Sequence, residues 1–146
     1  MFSITLTKGI NILILILVFA LSDLRAQENQ KPDSLDGKAG TKATIEEMLK
    51  KIPGSKGEQY ATAMKHGTLH VLIYSPKEID TQKPHDKDEV YVVLRGTGTF
   101  FDGTKRNSFK AGDVLFVPAK TEHRFENFTN DFVTWVIFYG PDGGEK

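Results

Sequence analysis

From residue 59 onward, short runs rich in Val, Ile, Phe, Tyr and Thr alternate with clusters of Gly, Asp, Pro and Lys. Runs of this length and composition, spaced by turn residues, predict the strands of a sandwich or barrel. The predicted strands span 59–65, 68–75, 89–95, 97–101, 106–109, 114–117, 123–127 and 132–139. Asp102-Gly103 is a hairpin signal, and Gly96, Gly98 and Ala111-Gly112-Asp113 mark other reversals. Ahead of the strands, Ile45, Met48, Leu49 and Ile52 recur at helical spacing behind Thr44, with Glu47 three residues after the Thr. A Thr and a Glu so placed each bond the other's backbone N–H, which starts a helix, and Pro53-Gly54 stop it. One short amphipathic helix over 44–52 is expected, packed on the outside of the strands.

The first 26 residues follow another pattern. Lys8 precedes an apolar run over 10–21 that only Asn11 interrupts, and the small residue Ala26 stands before Gln27. Charged start, apolar middle and small-residue end are the order of a secretory signal. A membrane span needs roughly 18 apolar residues, and this run ends sooner, at Ser22 and Asp23. The expectation is a signal peptide over 1–26, cut after Ala26, and a periplasmic or secreted product with no stable membrane span. Residues 27–43 are polar and read as a flexible leader, residues 44–140 as one domain, and 141–146 (PDGGEK) as a disordered tail.

A chain of 146 residues, shortened by processing, has material for one core. Lys and Arg number 19, as do Asp and Glu, with no basic stripe or acidic tail, so nucleic acid is not an implied partner. Cysteine is absent, which excludes disulfides, thiolate metal sites and thiol catalysis.

Ligand-type residues gather in two segments. His85 and Glu89 are four apart, and in a strand alternate side chains face one way, so an imidazole and a carboxylate are expected on one face. His123 opens a later strand that a barrel brings beside them. Two imidazoles and a carboxylate make the facial triad that holds divalent iron and similar ions with open positions for substrate. The alternative is a hydrogen-bonded polar cluster without an ion, but inward ionisable groups are costly unless paired or metallated.

The spacing His85, Glu89, six residues, Gly96, then Gly112, five residues, Pro118, four residues, His123, three residues, Asn127 resembles the paired motifs of the cupin superfamily. The resemblance covers about residues 66–140. It implies an all-β, cupin-type jelly-roll β-barrel with one short N-terminal helix, and a divalent ion (Fe, Mn, Ni or Zn) on His85, Glu89 and His123. It further implies an enzyme of oxygenase or isomerase type on a small molecule; the alternative is a non-catalytic module binding a sugar or other small ligand. The chain departs from the family where a further His is usual, at Lys83. Either Lys83 turns outward and leaves three ligands, or its ammonium replaces the ion.

Gln82, Asp80 and His70 are the nearest candidates for an extra ligand. Tyr91 shares parity with Glu89 and is expected to point inward, as a proton donor or as a core aromatic. Lys83, Gln82, His70, Phe116, Phe125 and Trp135 are the expected pocket residues. Val90, Val92 and Leu94 lie on the other face of that strand, and their apolarity calls for cover by the helix or by a second subunit in a homodimer.

Overall fold

The computed structural model describes residues 35–146. The signal peptide read in the first 26 residues lies outside them. Along the chain run β1 (Leu35–Asp36), α1 (Ile45–Leu49), β2 (Tyr60–His66), β3 (Leu69–Tyr74), β4 (Asp88–Arg95), β5 (Thr97–Phe101), β6 (Arg106–Lys110), β7 (Val114–Val117), β8 (Arg124–Glu126) and β9 (Val133–Tyr139). They form a six-stranded sheet in the order β1-β2-β3-β9-β4-β7 and a three-stranded sheet in the order β6-β5-β8. The architecture is the expected all-β jelly roll with one short helix. Among the described residues no helix is long and apolar enough to cross a membrane.

Alternation along the strands sorts the apolar residues into two cores. Tyr91 and Val93 of β4, Leu72 and Tyr74 of β3, and Val136 of β9 face inward against Phe100, Phe109, Phe125 and Phe132. These aromatic rings stack edge-on or tilted, with centroids 4.6 Å apart for Phe125 and Phe132 and 4.9 Å for Tyr91 and Phe125. Gly96, between β4 and β5, has φ +83°. A Cβ there would come within 2.7 Å of the Phe132 backbone, so only glycine turns the chain this close to the inner core.

The outer core is smaller. Met48 of α1 packs with Ala63, Ile73 and Val133, and Ile45, Leu49, Leu94 and Trp135 lie against them. The helix starts as the sequence predicts: Glu47 N–H donates to Thr44 Oγ1 and Thr44 N–H donates to Glu47 Oε2. It thus covers Leu94. Val90 and Val92 pair instead with Phe116 and Val114 of the edge strand β7, which remain 55% and 64% exposed.

Two polar segments among the described residues pair with the sheets in ways that their composition does not suggest. Within the expected leader, Leu35 and Asp36 add a parallel edge strand to β2, and Gly37 N–H donates to the Lys65 carbonyl at 3.0 Å. A sheet edge offers backbone groups regardless of side chain, so a polar segment can dock there without a hydrophobic face. The expected disordered tail also folds back onto the start of β4. Glu145 N–H donates to Asp88 Oδ2 at 2.8 Å, and Lys87 Nζ reaches Asp142 Oδ1 at 2.9 Å. Asp88 is buried on the outward side of β4, and its carboxylate needs donors that the tail and Ala119 N–H supply.

The docking of α1 can be tested at its one buried side chain. Met48→Ala should cost about 2–4 kcal/mol in urea or thermal unfolding. A change below about 0.5 kcal/mol, the usual range for surface substitutions, would show that the helix is not part of the cooperative fold.

Candidate metal centre

Glu89 is the first inward residue of β4 and is completely buried. His85 sits in the loop before the strand, so its approach to Glu89 does not come from strand alternation as the spacing suggested. A turn brings it back: Nδ1 lies 2.8 Å from the Lys87 carbonyl and Nε2 lies 2.8 Å from Glu89 Oε2. His123, in the turn before β8, is held the same way, with Nδ1 2.9 Å from the Thr121 carbonyl. Its Nε2 lies 3.2 Å from Glu89 Oε2. Ligand atoms of the three residues all fall within 4.8 Å of one another.

A carbonyl can only accept, so Nδ1 of both rings carries the proton. Each Nε2 then turns a lone pair toward a carboxylate that is itself only an acceptor. His123 Nε2 and Glu89 Oε1 are buried without a hydrogen-bond partner. Three acceptors facing one buried point require a cation, either a metal ion or an added proton. Two donors each about 2.1 Å from one ion and at right angles to it stand about 3 Å apart, close to the separations found here. The donor set fits a divalent ion of the iron, manganese, nickel or zinc kind.

The electrostatics agree. Burial pushes the Glu89 carboxyl up, but the His123 and His85 imidazoles and the Tyr91 hydroxyl beside it outweigh burial and hold it below its ordinary value. Burial pushes His123 down, but the Glu89 carboxylate and the Thr121 carbonyl outweigh it and hold the ring above its ordinary value. Without an ion, a proton is therefore favoured in the ion's place.

Residues 70–139 match the cupin domain family, and the turn, strand and ligand geometry agree with that match. That stretch of the chain is a cupin domain. The domain is similar to acireductone dioxygenase 1 of Pectobacterium atrosepticum, at 42% identity over 40% of this chain and 37% of that one. It is also similar to the oxalate-binding protein of Thermotoga maritima, at 27% identity over 62% of this chain and 85% of that one. Relatives matched at 33–42% identity are covered over only 36–60% of their own lengths. Among solved structures, the plu4264 protein of Photorhabdus luminescens superposes with a TM-score of 0.50 at 14% identity, over 70% of this chain and 88% of that one. That likeness is one of fold.

A cavity of about 360 Å³ opens onto His85 and Glu89 of the cupin triad and is lined also by His70, Gln82 and Lys83. Lys83 is exposed at its mouth. The other expected wall residues lie elsewhere. Phe116 is on the outward face of β7, and Phe125 is shut inside the aromatic core. Trp135 packs in the outer core, because in β9 it has opposite parity to Val136 and Phe138, which do line the cavity. Tyr91 does point inward, but it is wholly buried, does not line the cavity, and its hydroxyl donates to Gln82 Oε1 at 2.7 Å. Burial and the Glu89 carboxylate push its hydroxyl well above the ordinary tyrosine value, so it stays protonated as a support.

Asp80, considered above only as a weak extra ligand, is instead the polar anchor behind the site. It accepts hydrogen bonds from the Tyr74 hydroxyl at 2.7 Å, the Gln82 side chain at 2.8 Å and Phe125 N–H at 2.8 Å. One buried carboxylate thus ties β3, the loop carrying Lys83 and β8 together. Nothing in the sequence around Asp80 signals this role, since apart from Gln82 its partners lie six and 45 positions away.

Two outcomes follow. Asp80→Ala strips the acceptor from several buried donors and should cost about 3 kcal/mol in denaturant unfolding; near-neutral stability would contradict its role as anchor. The pH dependence has a definite sign. Stability from the raised His123 is complete below its ordinary 6.5 and is lost as pH rises through its folded value. Stability from the lowered Glu89 is present above its ordinary 4.5 and is lost as pH falls through its folded value. Metal-stripped protein should therefore melt highest between these pH values, while added zinc should raise the melting temperature more at pH 8 than at pH 6. Equal zinc stabilisation at both pH values would show that the ion does not compete with the His123 proton.

Proposed function

We propose that this cupin domain is a metal-dependent enzyme acting on a small oxygen-bearing molecule, of oxygenase or isomerase type, with His85, Glu89 and His123 as the protein's ligands to one divalent ion. The observation that carries it is the buried meeting of two imidazole lone pairs and a carboxylate at the floor of an open cavity. The similarity to acireductone dioxygenase supports the oxygenase class. An ion there would act as a Lewis acid with coordination positions left free toward the cavity.

The chain's own residues set the conditions for that chemistry. The carbonyls of Lys87 and Thr121 hold both imidazoles in the Nδ1–H tautomer and aim them. Phe138 sets its ring against His85, with centroids 4.8 Å apart, and shields it from water on that side. Asp80 and Gln82 hold the loop that forms one wall.

A non-catalytic reading has its own support in the similarity to an oxalate-binding protein over most of that protein's length. It keeps the same cavity and makes the small molecule cargo. We also place the protein outside the cytoplasm, on the strength of the charged start, apolar run and Ala26 described above.

Metal analysis of the purified protein tests the proposal, with about one iron, manganese, nickel or zinc per chain expected. Glu89→Gln keeps the size of the side chain and removes its charge, and should weaken metal binding at least about tenfold to a hundredfold. Protein that neither holds nor takes up any of these ions contradicts the proposal. Full loading without turnover of enediol or dicarbonyl substrates, but with saturable binding of oxalate, favours the cargo reading.

A further inference from the structure

The cavity wall is non-polar over most of its extent, and several of the polar groups on it already have a partner. Leu72, Val136 and Phe138 form one side. The Tyr74 hydroxyl donates to Asp80. Gln82 is held from both ends of its amide, donating to Asp80 and accepting from Tyr91. His70 Nε2 lies 3.0 Å from Thr62 Oγ1, its partner on β2. These bonds take up the Tyr74 proton, one Gln82 N–H and His70 Nε2, which leaves few wall groups to pair with a ligand that carries many hydroxyls.

Two features can hold a ligand's charge. One is the triad itself. The other is Lys83, an exposed residue of the lining that makes no hydrogen bond or ion pair among the described residues. The hydroxyl of Tyr60, half exposed, is at the rim. The free Lys83 cation on an otherwise non-polar wall favours negative charge at that end of the ligand and a non-polar body beyond it.

We infer that the cavity takes a small monoanion with a non-polar body, a carboxylate or enolate on a short hydrocarbon chain, and that Lys83 holds its charge. This rests on the reading that the same cavity is the substrate site. It narrows that reading by disfavouring polyhydroxylated ligands and by giving Lys83, which stands where the family usually has a histidine, a role in binding.

Hexanoate, gluconate and hexanamide form a matched probe set. The first two share charge and carbon count and differ in hydroxyls, and the third removes the charge. Gluconate chelates ions, so the ranking is read by NMR titration of the metal-stripped full chain. Hexanoate should bind at least about tenfold tighter than gluconate, since several methylenes leave water on binding. Lys83→Gln should weaken hexanoate about three- to fivefold, the scale of a solvent-exposed ion pair, and leave hexanamide within about twofold. Gluconate binding as well as hexanoate, hexanoate indifferent to Lys83→Gln, or no saturable hexanoate binding would each overturn the inference. Metal analysis on the same preparation reads the metal proposal separately. A protein that takes up no ion yet keeps the hexanoate preference and its dependence on Lys83 sustains this inference while the metal reading fails.

Discussion

Two backbone carbonyls decide the chemistry of this molecule. By accepting the Nδ1 protons of His85 and His123, the Lys87 and Thr121 carbonyls leave both Nε2 lone pairs facing the Glu89 carboxylate. Such a constellation is unfavourable on its own in a buried setting, and a cation relieves it. The rest of the domain can be understood as the framework that keeps this point buried, aimed and reachable from one side.

That framework comes from several parts of the chain. The aromatic inner core of Phe100, Phe109, Phe125 and Phe132 backs the three-stranded sheet and so sets the position of β8, next to which His123 lies. Asp80 draws the preceding loop inward and binds it to Phe125 N–H, so the cavity wall is anchored to the same core. On the outward side, Asp88 collects Ala119 N–H and Glu145 N–H, which ties the start of β4 to the segment carrying His123 and to the end of the chain. Two buried carboxylates, neither facing the ion site, thus hold its ligands in register.

The strands and the helix were legible because apolar alternation and turn residues are local signals, and the observed elements follow the predicted spans closely. The gathering of His85, Glu89 and His123 was legible from spacing, although His85 reaches its place through a loop bond and not through strand parity. Parity was decisive elsewhere: Trp135 and Phe138 cannot share a face of β9, and only Phe138 lines the cavity. Phe116 was misplaced because an apolar run in an edge strand looks the same as one buried on both faces. Asp80 and the docked chain end depend on contacts between residues distant in sequence, which no local pattern carries.

Nitrogen-15 NMR of the histidine rings addresses the central claim most directly. At pH 8 and without metal, His85 and His123 should both carry a proton on Nδ1, and one equivalent of zinc should shift both Nε2 resonances while leaving the Nδ1 protons in place. A neutral ring protonated on Nε2 and bare at Nδ1 before zinc is added, or Nε2 resonances that no divalent ion moves, would contradict it.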